Sequence, residues 1–411
     1  HYGYGEAVGV LNGFSASARR NNMVDESFVA ARAEGYQELE AALKGVRVPK
    51  QVTEAAESLL GAENLVIFVG GEGVTLAQHA DLMQAAANLL ILTGHVGRPN
   101  NGLIPVWPGA NMQGALDMGF TPEATEARIV AQPEMWVIAE ADPVAEDGRM
   151  AALLAEAQFV VVATQFMTPT AELADIVLPV QSFAEREGTF TNGMRRVQRF
   201  YMAQSPLEGT LPGWKVFAHV SARMRGGPKP RIAPSLVMRD ITQHVLRYAE
   251  MSYPRLAQVE QQFPLVGGED LYYGGTAYSN RGGLGLQWAT NAEKGQYKLR
   301  LRPVDTSRPK RDGLVAVPIR LLYDREPLFI PSTLMHRRIP EPYVQLNDED
   351  AQKLGIAEGE QVVLKADGVE LVARARVDGK APAGVVLVPR RLAPTPVPKA
   401  LAACAVQKRE G

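Results

Sequence analysis

Arg195, Arg196 and Arg199 stand close together in the chain, with two carboxylates, Glu185 and Glu187, shortly before them. Guanidinium groups at that spacing form one cationic surface, suited to holding a phosphate or another anion. The same residues have a plainer use, in which Glu185 and Glu187 pair with the arginines on a solvated face. That second use is the expectation here, with at least two of the three arginines engaged by carboxylates. Between the two groups, Gly188 and Asn192 suit tight or left-handed turns. Upstream, Ala174-Asp175-Ile176-Val177-Leu178-Pro179 is an apolar run stopped by proline, as a buried strand edge would be. A loop leaving the end of a parallel strand is where open α/β sheets place ligands.

A second candidate lies earlier. Asn64-Leu65-Val66-Ile67-Phe68-Val69 reads as a strand, and Gly70-Gly71-Glu72-Gly73 follows it. A helix opens at Thr75, with Gln78 as its capping-box partner and Gly94 as its stop. Leu76, Ala80, Met83, Ala87 and Leu90 fall on one face of it, with Gln78, Asp81, Gln84 and Asn88 off that face. Strand, glycine turn and helix N-terminus make a phosphate cradle, or simply a tight strand-to-helix turn. Neither G-x-G-x-x-G nor a Walker lysine is present.

Further strands are expected at 135–139 and 159–163, with helices at 148–157 and 213–223. Such alternation predicts a parallel sheet with helices on both faces. From about residue 314 the pattern turns β-rich. Asp367-Gly368 between two apolar alternating runs signals a hairpin, and Asn347-Asp348-Glu349-Asp350-Ala351 a short capped helix ending at Leu354-Gly355. The organisation read from this is a tail of an upstream domain at 1–60 and a parallel α/β domain at 61–225. An irregular linker or insertion at 226–313 and a β-barrel domain at 314–411 complete it.

Several of these stretches resemble the molybdopterin oxidoreductase superfamily, which includes formate dehydrogenases, nitrate reductases and the G subunit of bacterial NADH-quinone oxidoreductase (respiratory complex I). One is the run from Ala174 to Phe200. Others are Thr93-Gly94-His95-Val96-Gly97-Arg98-Pro99 and Gly109-Ala110-Asn111-Met112-Gln113-Gly114-Ala115-Leu116-Asp117-Met118-Gly119, similar to a segment that lies beside the pterin in catalytic members. Asp142-Pro143 stands where many members carry Asn-Pro. The stretch from Asn347 to Val362 is similar to the superfamily's C-terminal barrel, which binds the pterin nucleotide in the enzymes. Arg196-Val197-Gln198-Arg199-Phe200, then Pro212-Gly213-Trp214-Lys215, and Tyr272-Tyr273-Gly274-Gly275-Thr276-Ala277-Tyr278-Ser279-Asn280 look closest to the complex I subunit.

That resemblance implies a scaffold region of the complex I G subunit. Such a region has no redox centre of its own, and iron–sulfur clusters lie in a preceding N-terminal part. Its partners would be other peripheral-arm subunits, on the cytoplasmic, inner side of the cell membrane. The alternative is the C-terminal part of a catalytic molybdopterin enzyme such as a formate dehydrogenase, with its metal ligand upstream of His1. A nucleotide-binding α/β protein without a redox role fits the Gly71–Gly73 turn but leaves the barrel unexplained. If a pterin is retained, the resemblance places Gly71, Gly73, Asn111, Gln113, Thr164, Asn192 and Arg195 against it. No catalytic residue and no metal ligand is assigned.

Composition narrows these classes. With 46% hydrophobic and 21% charged residues in 411, the chain is long enough for two or three globular domains. A formal net charge of −2 gives no global draw to nucleic acid or an anionic membrane. Local basic clusters at 223–231 and 308–311 read as solvated linkers or partner contacts. The one cysteine, Cys404, cannot supply the four ligands an iron–sulfur cluster normally takes, nor a disulfide. The longest apolar stretch, 85–93, is interrupted by Asn88 and falls far short of the roughly 20 residues of a spanning helix. Nothing near His1 reads as a signal peptide, and the chain is expected to be the C-terminal part of a longer polypeptide.

Overall fold

The computed structural model describes residues 2–409 except 72, 99, 122–128, 130, 229, 231–232, 257–284, 291–294, 296, 306–312, 327–328, 394–396 and 399. The Tyr272–Asn280 stretch and the basic cluster at 308–311 therefore lie outside the described residues. Among those described, no helix is long and apolar enough to cross a membrane.

The fold is mixed α/β with parallel sheets and a six-stranded C-terminal barrel. The parallel strands of the α/β unit fall into two sheets. Val66–Gly70 pairs with Gly102–Val106, so that Gly70 and Val106 end side by side. Met135–Ala139, Phe159–Thr164 and Ile176–Pro179 form the other sheet in that order. In both, β-branched and aromatic residues fit a pleated surface, and the C-terminal ends carry the loops that matter below.

Helix Leu76–Leu92 joins the two strands of the first sheet. Thr75 and Gln78 make both bonds of the capping box, as the sequence predicts. The helix face read from sequence needs correction. Ala80 is exposed, whereas Asn88 is fully buried. The cause is tertiary, because helix Ala7–Arg20 and the segment around Leu301 enclose the C-terminal half of this helix. Asn88 tolerates that burial because it acts as an amide clamp. Its Nδ2 donates to the Arg302 carbonyl at 2.6 Å, and its Oδ1 accepts from the Arg302 amide at 3.2 Å.

The barrel closes in the order Leu314–Ile319, Val385–Pro389, Tyr343–Leu346, Val369–Val377, Gln361–Ala366 and Ala402–Lys408. Its interior holds Val344, Leu346, Val362, Leu364, Val386 and Val388, each worth about 1.5–3 kcal/mol when fully buried. The hairpin at Asp367-Gly368 forms with φ of 50° and 74°, the paired left-handed geometry of a type I′ turn. Asn347 caps Asp348–Leu354 by accepting the Glu349 amide at 2.9 Å, and Gly355 ends that helix at φ 65°. Leu314–Ile319 and Val385–Pro389 run parallel, so their C-terminal ends also meet at one place.

Barrel and α/β unit touch at the glycine turn. The Gly73 carbonyl accepts the Leu401 amide at 3.0 Å, and a Cβ on Gly73 would stand 3.4 Å from Val317 Cγ1. Between the units in sequence, Pro234–His244 and Tyr253–Leu256 are helices, and Leu286–Gln287 pairs with Arg196–Phe200.

Candidate functional site

The strand ends of the first sheet open onto two loops, 70–75 and 107–111, and those loops position most of the residues singled out from sequence. Gly71 lies over His79, since a Cβ there would come within 3.2 Å of the imidazole. His79 in turn stands 5.2 Å from the Trp107 ring, and Trp107 Nε1 donates to Gln113 Oε1 at 3.4 Å. Gln113 Nε2 donates to Asp117 Oδ1 at 3.0 Å. Asn111 Oδ1 accepts the Thr191 amide at 2.8 Å, tying this loop to the hairpin Gly188–Thr191 and Arg196–Phe200. At the hairpin tip, Asn192 Oδ1 accepts the amides of Met194 and Arg196, each at 3.0 Å. Arg195 sits there at φ 62° with its guanidinium over Trp288. Gly71, Gly73, Asn111, Gln113, Asn192 and Arg195 thus belong to one connected region. Thr164 stands apart, at the end of the second sheet, with its hydroxyl on the Phe166 carbonyl at 3.2 Å.

The hairpin arginines divide their duties. Arg199 does pair with Glu187, at 2.9 Å, and its guanidinium lies against the rings of Tyr201 and Tyr253 at 4.3 and 4.4 Å. Burial pushes the Tyr253 phenol up to about 12. Glu185, expected as a second arginine partner, turns instead onto backbone. It accepts the amides of Ser182 and Leu207, each at 2.9 Å, and those bonds hold its carboxyl below the usual range. Arg196 donates to the Gly285 carbonyl at 3.0 Å. Strand pairing decides this, because alternate residues of Arg196–Phe200 face opposite sides of the sheet and cannot form one cationic surface.

The stronger cationic surface is one the sequence reading passed over. Arg320 and Arg390 follow directly on the two parallel barrel strands, and with Arg391, Asp324, Glu326 and Phe329 they line a pocket of about 340 Å³. Arg320 reaches the Pro108 carbonyl at 3.5 Å, which sets this pocket beside the 107–111 loop. Arg391 bridges Glu326 of the barrel to Glu146 of the α/β unit. Burial raises the Asp324 carboxyl above its ordinary value, against the opposing pull of Arg391, Arg320 and Arg390. Arg338 lies over Tyr323, whose ring neighbours Phe329. The doublet Arg390-Arg391 is the available signal, but only barrel closure brings it near Arg320.

A crevice with convergent guanidinium groups at aligned strand ends suits a diphosphate. Four buried polar atoms of this region lack a hydrogen-bond partner among the described residues, Asp142 Oδ2, His79 Nε2, Arg199 Nε and Trp288 Nε1. Asp142 Oδ1 is taken by Thr170, whose amide and hydroxyl donate at 3.1 and 2.5 Å. Cys404 stands on a barrel strand, its thiol pushed up to about 11 by burial. Among the described residues no group of three or more His, Cys, Asp or Glu could hold a metal ion.

Burial pulls His79 below its ordinary 6.5, only partly opposed by the Val69 carbonyl. An unfolded chain then binds more protons at this position than the native one below that pH, so its contribution to stability falls as pH drops. His79→Phe should unfold with a shallower acid dependence below pH 6.5 than the natural protein, measured by urea titration at several pH values. Parallel stability curves for the two proteins would contradict this effect of burial on the imidazole.

The chain matches the family model for molybdopterin oxidoreductase over residues 28–223 and that for the molydopterin dinucleotide binding domain over 331–408. It is 28% identical to F420-dependent formate dehydrogenase 2 subunit alpha of Methanococcus maripaludis, covering 93% of this chain and 63% of that protein. Formate dehydrogenase H of Escherichia coli is 24% identical over 93% of this chain and 60% of its own length. The chain thus spans less than two thirds of the length of these relatives. Acetylene Hydratase from Pelobacter acetylenicus shares the fold, with a TM-score of 0.66 at 15% identity, over 94% of this chain and 63% of that one. These relatives overturn the expectation of a complex I G subunit and a respiratory-chain scaffold, since they are formate dehydrogenases. The match over 331–408 likewise overturns the expectation that no cofactor belongs to this stretch, because it implies a molybdopterin.

Proposed function

The chain belongs to the molybdopterin oxidoreductase superfamily, and on that premise we propose that it is part of the catalytic subunit of a formate dehydrogenase. Its crevice between barrel and α/β unit would then hold the molybdopterin dinucleotide. The observation that carries this reading is the convergence of Arg320, Arg390 and Arg391 on one pocket beside the 107–111 loop. Two arginines of that set would take the diphosphate, with Arg391 kept in place by Glu146 and Glu326. The loops at Gly71–Gly73 and Asn111 would lie alongside the rest of the ligand. Their backbone can come close because Gly70 and Gly109 have no heavy atom within 4 Å of where a Cβ would stand. When bound, the cofactor's metal supplies the two-electron acceptor that oxidation of formate to carbon dioxide needs. The chain's own part is to bind and orient that group, and similarity to proteins named formate dehydrogenases supports the substrate.

The test is made on the protein purified under anaerobic conditions with its full natural sequence. Pterin is read by fluorescence after oxidation, molybdenum and tungsten by mass spectrometry, and activity by formate-dependent reduction of an artificial dye. Near-stoichiometric pterin with one of the two metals and dye reduction is the expected result. Protein free of pterin and of both metals would sink the reading.

A further inference from the structure

Tyr248, in the part of the sequence between the two family matches, reaches back into the candidate site. Its ring is 2% exposed, packed among Val197, Met238, Tyr253, Leu256, Leu286 and Trp288. A phenol has one proton, and this one is donated to Asp117 Oδ2 at 3.0 Å. The Thr191 hydroxyl, 2.7 Å away, must therefore donate to the phenol oxygen. Asp117, whose side chain is wholly buried, also accepts from Gln113 at 3.0 Å and Arg247 at 3.1 Å. Thr191 in turn gives its amide to Asn111. Asn111 and Asp117 stand at the two ends of the short helix Met112–Asp117. One hydroxyl thus holds one end directly and the other through Thr191. Burial raises the phenol well above its ordinary 10, so the donor persists at any working pH. Trp288 does the same service for Arg195, accepting its Nε at 3.3 Å and giving its own amide to the Arg195 carbonyl at 3.2 Å.

A satisfied buried network selects one arrangement, because any other leaves a donor or acceptor without a partner away from water. We infer that Tyr248 is a positioning residue, fixing the 108–119 segment against the hairpin tip so that the loop beside the arginine pocket is set before the cofactor binds. This rests on the reading of the crevice as the dinucleotide site. Preorganisation of that kind lowers the ordering cost of binding and shows as slower ligand loss.

Tyr248→Phe keeps the ring and removes only the hydroxyl. Val197→Ala removes two methyls from the same apolar cluster and none of the network's hydrogen bonds, and Thr191→Ser keeps the hydroxyl donor. Two readouts are taken on the purified protein: hydrogen–deuterium exchange by peptide, and the rate of pterin loss after dilution. Tyr248→Phe should speed both exchange at 108–119 and pterin loss about tenfold, with barrel peptides unchanged. Val197→Ala should retain pterin as the natural protein does even where it melts earlier, and Thr191→Ser should behave as natural in both readouts. The inference fails if Tyr248→Phe leaves exchange at 108–119 unchanged or raises it equally everywhere. It fails also if exchange rises without faster pterin loss, or if Val197→Ala loses pterin equally fast. A natural protein without pterin sinks the functional reading instead, and exchange at 108–119 then decides the positioning role alone.

Discussion

Arg320→Glu combined with Arg390→Glu should give a folded protein that no longer retains pterin. Both residues follow directly on barrel strands, Arg320 is exposed and Arg390 half-buried, so neither substitution opens the core. A charge-assisted hydrogen bond to a phosphate is worth about 1.5–3 kcal/mol, and two are removed. The introduced carboxylates also join Asp324 and Glu326 in the same pocket and repel the ligand. Affinity should fall on the order of a hundredfold at least, and the same crevice should lose any binding of inorganic pyrophosphate. Pterin content per chain after gel filtration is the measurement, with circular dichroism as the check on folding. Full retention by the double variant would remove the arginine pocket from the cofactor site and leave the proposed function without its carrying observation.

Gly193→Ala is expected to have the largest effect on stability of any single methyl added to the hairpin tip. A Cβ there would stand 2.2 Å from the Pro105 carbonyl oxygen, a backbone atom that no rotamer change can move. Hairpin and strand must separate, at a cost of about 3 kcal/mol by comparison with overpacked cores. Because Thr191 and Asn111 bond across the same seam, the displacement should also loosen the 108–111 loop. Gly109→Ala is the contrast, since nothing lies within 4 Å of its Cβ, and its stability should stay within about 0.5 kcal/mol of the natural protein. Urea unfolding of the pterin-free proteins reads both. Equal midpoints for Gly193→Ala and the natural chain would mean that the tip does not seat on Pro105.

Local signals were legible wherever neighbours in sequence decide the outcome. The Thr75–Gln78 capping box, the Asp367-Gly368 turn, the Asn347 cap and the Gly355 stop each depend on a few adjacent residues, and each formed as read. The superfamily was legible for the same reason, because its motifs are contiguous. The subfamily was not. It rests on Arg196-Val197-Gln198-Arg199-Phe200, on Pro212-Gly213-Trp214-Lys215 and on Tyr272–Asn280, and the first of these serves a strand, with Val197 in the core and Arg199 on Glu187 and two tyrosines.

What the sequence determined by itself was therefore the class of fold, its turns and caps, and the loops that border the crevice. Tertiary structure decided which charges converge. Arg320 and Arg390 are far apart in the chain and meet only because two barrel strands pair in parallel. Asn88 looks like a surface amide until an N-terminal helix and the segment at 301–302 close over it. Asp117, Thr191 and Tyr248 share one buried hydroxyl contact from three distant segments. Contacts of that range cost chain entropy that only the assembled core repays, so no local pattern in the sequence announces them.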